Sequence, residues 1–245
     1  MTARPAWQSY LRRFHVEHAG ITETILDACQ GDPYGWLIEA VDVDPGWVLD
    51  LACGSAPLLP RLSANRYLGV DRSAAELTLA AARGTGWLVC ADGAHLPLLN
   101  GSVDVVVCSM ALQILSPLQD VLAEAARVLR AGGKLVALLP ASSPLQPGDR
   151  MHYARLLWAL RRPGLAYPNV IDDQAFSRAG WRVSSDHSRR FGYPIRSAQD
   201  GRRLVDSLYL PGLAAGRLRR AHALVGGWVG GELGVPLRRI VAERD

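Results

Sequence analysis

Cysteine is scarce in this chain of 245 residues: there are four, at positions 29, 53, 90 and 108. None stands in a C-x-x-C pair and no histidine pair completes a zinc set, so no metal site is expected. A disulfide framework belongs to much shorter secreted chains. The thiols are therefore expected to be reduced and mostly buried. Long apolar runs are also missing. The best, Val105–Leu112, is too short to cross a bilayer and contains Ser109. The opening MTARPAWQSYLRRF has no apolar signal-peptide core, and the expected location is cytoplasmic, away from membranes. No internal repeat or low-complexity tract is visible. Charged residues make up 20% against 49% hydrophobic, which excludes a disordered chain.

What is present points to one large folded unit, or one domain with a cap. At this length the chain hides roughly 70–75% of its unfolded surface and needs no staple to make a core. The net charge of +4 conceals an asymmetry. Residues 1–145 carry 10 basic and 14 acidic groups, whereas residues 146–245 carry 17 and 9. The halves are expected to do different jobs. Arginine supplies 26 of the 27 basic residues, Lys134 being the exception, and a GC-rich genome produces such a bias without any function.

The apolar pattern changes along the chain. Residues 5–42 read as helical pieces, with Trp7, Leu11 and Phe14 on one face and Asp32-Pro33 starting a further helix. Strand-type runs follow at Trp47–Ala52, Tyr67–Asp71, Trp87–Cys90, Val103–Cys108 and Lys134–Leu139. Helical stretches at Pro57–Leu62, Ser73–Arg83 and Leu118–Leu129 lie between them. This alternation predicts βαβ units and a parallel sheet covered on both faces. After Pro140 a helical insertion is expected over 141–178, a strand from Trp181 and helices over 198–230 broken at Pro211-Gly212. A last strand is expected at Val235–Ala242.

In a doubly wound sheet, ligands bind beyond the carboxyl ends of the strands. The first run ends in Asp50 and the loop Leu51–Pro57, the second in Asp71, the third in Ala91-Asp92-Gly93, and the fourth in Cys108-Ser109-Met110. Three carboxylates thus face one crevice. Asp71, 21 positions after Asp50, suits ribose hydroxyls. That spacing alone fits a dinucleotide or an adenosyl cofactor. A dinucleotide loop reads G-x-G-x-x-G and cradles a pyrophosphate. Here the loop is A-C-G-S-A-P behind an acid, which repels a pyrophosphate and suits a ligand carrying an ammonium and a sulfonium.

From VLDLACGSAPLL through YLGVDRS and CADGAHLPLLNGSVDVVVCSMALQIL to VLAEAARVLRAGGKLVALLP, the chain resembles the class I S-adenosylmethionine-dependent methyltransferases. Within them it is most similar to the subgroup that holds the ubiquinone/menaquinone C-methyltransferases and many small-molecule methyltransferases. The resemblance covers about residues 46–140. It implies a Rossmann-like, doubly wound α/β fold with a mostly parallel seven-stranded sheet. The organisation it implies is an N-terminal helical lid (1–45), the cofactor-binding core (46–140), an acceptor-side insertion with the sixth strand and helices (141–230), and a final strand (231–245).

The resemblance further implies that S-adenosyl-L-methionine is the methyl donor and S-adenosyl-L-homocysteine the product. Asp50 would hold the methionine part, Ala52, Cys53 and Gly54 would let backbone approach it, and Asp71 would bind the ribose, with Arg72 beside the adenine. Asp92 would accept from the adenine amino group between Ala91 and Gly93, and Ser109 and Met110 would lie near the transferring methyl. The family usually has glycine where Ala52 and Ala56 stand, and Ala56 then needs a negative φ or some strain.

Candidates for a base are His15, in the lid, and His152, in the insertion; His18, Tyr153 and His187 rank behind them. The arginines at 189, 190, 202, 203, 217, 219 and 220 clamp an acceptor anion, follow a nucleic acid backbone, or form solvated helix faces. The expected activity is methyl transfer to O, N or C of a small metabolite, with an anionic acceptor admitted, in a monomer or homodimer. The alternatives are an RNA or protein methyltransferase and a cofactor-binding, non-catalytic partner subunit.

Overall fold

A computed structural model describes residues 3–41, 46–62, 66–84, 86–165 and 167–244, without the side chains of residues 3–5. The N-terminal helices are α1 (Ala3–Glu17), α2 (Ile21–Ala28) and α3 (Pro33–Ile38). The core follows as β1 (Trp47–Leu51), β2 (Arg66–Asp71), α4 (Ala74–Ala81), β3 (Trp87–Cys90), β4 (Val103–Ser109), α5 (Leu118–Val128) and β5 (Leu129–Pro140). Then come α6 (Pro147–Leu160), α7 (Asp173–Ser177), β6 (Trp181–Ile195), α8 (Ala198–Asp206), α9 (Ala215–Gly226) and β7 (Gly231–Arg244). The expected boundary between lid and core at residue 45 falls outside the described residues.

The seven strands lie in the order β3-β2-β1-β4-β5-β7-β6. β1 to β5 run parallel, and β7 enters antiparallel between β5 and β6. Alternation along the strands divides the core between the two faces. Val48, Val105, Val107, Val136 and Leu138 pack with residues of α2, α3, α6, α8 and α9. Leu49, Leu51, Val106, Cys108, Leu135 and Ala137 pack with Val121, Leu122 and Ala125 of α5 and Phe176 of α7. Strand order reverses between β1 and β4, so a crevice opens at their carboxyl ends, as the sequence predicts.

Two expectations need correction. Residues Pro57–Leu62 form a succession of turns rather than a helix. Ala56 enters them in the left-handed region, at φ 55°, and Pro60 removes a donor and disfavours helical backbone at Leu59. The sixth strand also extends ten residues beyond the alternating segment Trp181–Ser185, to Ile195. It is an edge strand, and its solvent-facing polar residues hide the period-two signal.

Candidate active site

A cavity of about 410 Å³ lies at the strand reversal. Its wall includes Asp50, Ala52, Cys53, Gly54, Asp71, Arg72, Ala91, Asp92, Gly93, Ser109 and Met110, every residue expected to meet the cofactor. His15 reaches it from the lid. His152 does not: its ring stacks on Trp228 at 4.3 Å, away from the wall. The arginines for which an acceptor clamp is one of three readings are likewise absent from it among the described residues. Among the described residues, the arginines lining the cavity are Arg12 and Arg72, and residues 146–245 contribute only Tyr209. Arg190 is held by Asp149 and Glu232, and Arg203 by Asp200.

The loop after β1 owes its shape to three left-handed residues, Ala52 (φ 56°), Gly54 (φ 54°) and Ala56 (φ 55°). Glycine takes this conformation freely, whereas each alanine bears a Cβ clash of order 1 kcal/mol. The tight path lets Gly54 N donate to Asp71 Oδ2 at 2.9 Å. Ser73 N donates to Asp71 Oδ1 at 2.7 Å. Each oxygen of Asp71 therefore keeps a lone pair for a diol. Gly69 on β2 serves close approach: a Cβ there would stand 2.9 Å from Cys53 Sγ and Leu88 Cδ2.

Asp50 is 1% exposed and accepts from the Tyr67 hydroxyl at 2.6 Å. Burial pushes its carboxyl up to about 7, against the Tyr67 hydrogen bond and with help from the charge of Asp71. Burial raises Asp71 too, opposed by hydrogen bonds from Ser73 and Gly54 and by the proximity of His15. Both groups thus face the cavity with an electrostatic demand for a cation. Asp92 uses one oxygen to accept from Ala94 N at 3.0 Å and remains exposed. At the end of β4, Ser109 Oγ is buried without a hydrogen-bond partner among the described residues. Met110 beside it is also left-handed, at φ 56°.

Several functional candidates escape sequence reasoning. Glu76 on α4 is 5% exposed and lines the cavity. It accepts from His15 Nδ1 and from Gly20 N, each at 3.0 Å. The Tyr209 hydroxyl lies 3.3 Å from His15 Nε2. Glu23 of α2 accepts from Ser55 Oγ at 2.6 Å and from Arg83. These contacts tie α1, α2 and the turn between them to residues around the cavity. They join residues between 32 and 194 positions apart, and no local pattern encodes such pairs.

Three carboxylates around a narrow loop, with a lone pair free on each Asp71 oxygen, fit S-adenosylmethionine, which carries an ammonium, a sulfonium and a ribose. A sheet of this order and such a crevice define a class I S-adenosylmethionine-dependent methyltransferase fold. Residues 49–137, which span most of β1 through β5, match the family model described as a methyltransferase domain. A malonyl-[acyl-carrier protein] O-methyltransferase from Hamiltonella defensa is 36% identical over 98 residues, covering 39% of this chain and 38% of that protein. A demethylmenaquinone methyltransferase from Corynebacterium urealyticum is 34% identical over 122 residues, covering 48% of this chain and 51% of the relative. The matches therefore span about half or less of these relatives. Among solved structures, geranyl diphosphate C-methyltransferase from Streptomyces coelicolor A3(2) shares the fold, with a TM-score of 0.51 at 15% identity. That likeness covers 86% of this chain and 79% of the other.

Proposed function

We propose that the protein transfers the methyl group of S-adenosylmethionine to a small-molecule acceptor enclosed under its helical lid. The observation that carries this reading is the convergence of Asp50, Asp71 and Asp92 with the A-C-G-S segment of the loop on one cavity at the strand reversal. Asp50 holds the ammonium end, and Asp71 takes the two ribose hydroxyls on its remaining lone pairs. Asp92 accepts from the adenine amino group between Ala91 and Gly93, and Arg72 flanks the ring. The backbone of Ala52, Cys53 and Gly54 packs on the methionine part, and Ser109 and Met110 stand near the reacting methyl.

The bound cofactor supplies an already activated methyl on a sulfonium. The work left to the chain is positioning and exclusion of water. The lid does both, through Glu23 on Ser55 and Arg83 and through His15 on Glu76. The acceptor side is walled by Leu11, Met110, Ile114, Leu115 and Tyr209. Apolar walls of this kind, and arginines engaged in ion pairs elsewhere, favour a small organic acceptor over a nucleic acid backbone. Among the described residues no helix is long and apolar enough to cross a membrane.

Calorimetric titration with S-adenosylhomocysteine and S-adenosylmethionine tests the reading, with NAD and Asp71→Ala as controls. Micromolar binding to the wild type that is lost in Asp71→Ala is expected. Binding of NAD in place of both ligands would refute it.

A further inference from the structure

Building on the methyltransferase reading, we infer that Glu76, His15 and Tyr209 form a proton relay, and that the methylated acceptor group is a hydroxyl of phenol or enol type. The three residues come from three separate parts of the chain, the core helix α4, the lid helix α1 and the segment after α8, and meet on one cavity wall. The Glu76 carboxylate accepts from His15 Nδ1 at 3.0 Å, which fixes the ring with its Nε2 bare. The Tyr209 hydroxyl, 3.3 Å from Nε2, donates to it. Gly20 N holds the other Glu76 oxygen at 3.0 Å, so the carboxylate is locked in place. Tyr209 itself is packed by Phe14 at 4.7 Å and by Trp7 at 6.3 Å.

This wiring has a direction. A carboxylate orients an imidazole, the imidazole accepts from a tyrosine, and the tyrosine oxygen retains lone pairs for a donor in the cavity. An acceptor hydroxyl placed there passes its proton to the Tyr209 oxygen as the tyrosine proton moves to His15 Nε2. The acceptor oxygen's electron pair forms the O–CH3 bond while the S–CH3 bond breaks and its pair stays on sulfur. One positive charge disappears from sulfur and one appears on the imidazolium, beside Glu76. A carboxylic acid acceptor, ionised at a pKa of about 4, would need no such relay. A phenol, with a pKa of about 10, keeps its proton at neutral pH and does need one.

The test has a spectroscopic arm and a transfer arm. Long-range 1H–15N NMR on the 15N-labelled protein with S-adenosylhomocysteine is expected to show His15 protonated at Nδ1 only. Glu76→Gln should shift the ring population towards the Nε2–H tautomer, because the amide no longer selects Nδ1–H as its donor. Tritium from methyl-labelled S-adenosylmethionine is expected to enter 2-naphthol and not 2-naphthoate, probes of matched apolar bulk. Tyr209→Phe and His15→Ala should each slow transfer to 2-naphthol about 10²–10⁴-fold at pH 7, the usual range for a lost general base. An Nε2–H tautomer, label in 2-naphthoate, or wild-type rates in either variant would overturn the relay. Should neither naphthalene be methylated, the tautomer alone decides. Titration of the wild type with S-adenosylhomocysteine separates the failures: no binding defeats the methyltransferase reading, whereas binding with the wrong tautomer defeats only the relay.

Discussion

Asp50 shows how a single buried carboxyl can report on its ligand. Burial raises it to about 7, so in the free protein its contribution to stability is present below the unfolded value of 3.8 and is lost as pH climbs through about 7. A cationic ligand reverses that preference by favouring the ionised form. Binding of S-adenosylmethionine below pH 7 should therefore release a proton, and its Kd should rise up to about tenfold per pH unit as pH falls, levelling off above 7. Calorimetry in buffers of different ionisation enthalpy measures both effects. Asp50→Asn should flatten the pH dependence and weaken binding, while leaving the free protein at pH 8 at least as stable as wild type. Ala56 offers a second test at this scale. It is fully buried at φ 55°, where alanine is strained by roughly 1 kcal/mol. Ala56→Gly should raise Tm by at most about 2–4 °C, because the greater freedom of glycine in the unfolded chain offsets part of the relief.

At the scale of elements, α2 and α3 are bedded in the apolar core through Leu26, Tyr34 and Leu37, and a few polar contacts pin the N-terminal helices at the cavity. Glu23 on α2 takes both the Ser55 hydroxyl and the Arg83 guanidinium, and Arg83 Nε also donates to Ser55 O at 2.5 Å. Removing Arg83 leaves Glu23, with 12% of its side chain exposed, short of a counterion. Arg83→Ala should speed dissociation of S-adenosylhomocysteine about 5–30-fold, the effect of roughly 1–2 kcal/mol, read by stopped-flow fluorescence. Hydrogen exchange in α1 and α2 should rise in parallel. The insertion is anchored differently. Asp149 of α6 is buried and stays below the usual carboxylate range, because hydrogen bonds from Arg190, Gly234 and Gln146 outweigh the effect of burial. Arg190→Ala strands that carboxylate and should cost about 3–5 kcal/mol by denaturant unfolding, with partial recovery on adding Asp149→Asn.

These elements also show what the sequence makes legible. β1, β2, β4 and β5 stand out because burial on both faces demands short apolar runs such as Val103–Cys108, and the half-exposed edge strand β3 keeps an apolar run of its own. The acidic strand ends and the loop follow from those runs, and Asp50, Asp71, Asp92 and the loop residues Ala52 to Ser55 line the cavity. Pro57–Leu62 was misleading because apolar spacing alone does not register a left-handed Ala56 or the effect of Pro60. His152 is a histidine in the expected insertion whose helix turns it onto Trp228. Glu76, Glu23 and Tyr209 carry no local signal. Their importance comes from packing between lid, core and the segment after α8.

For the molecule as a whole, the cavity is where the chain's separate parts meet. The lid supplies His15 and Glu23, the core the acidic loop ends and Glu76, and the basic second half Tyr209 alone among the described residues. The net positive charge of residues 146–245 is thus spent on the outer surface and in pairs such as Arg238–Asp186 and Arg182–Glu243, not on the ligand. Ligand affinity should accordingly depend weakly on salt, in contrast to the steep fall expected of a nucleic acid site. A ligand held between lid and core must also stabilise both together. S-adenosylhomocysteine at a hundredfold excess over its Kd contributes about 2.7 kcal/mol. For a chain of this size that corresponds to a rise in Tm of about 5–11 °C. Differential scanning calorimetry should show a single transition moving upward by that amount, no movement with NAD, and none in Asp71→Ala. A rise confined to one of two separate transitions would mean that the lid and the core do not close on the ligand as one body.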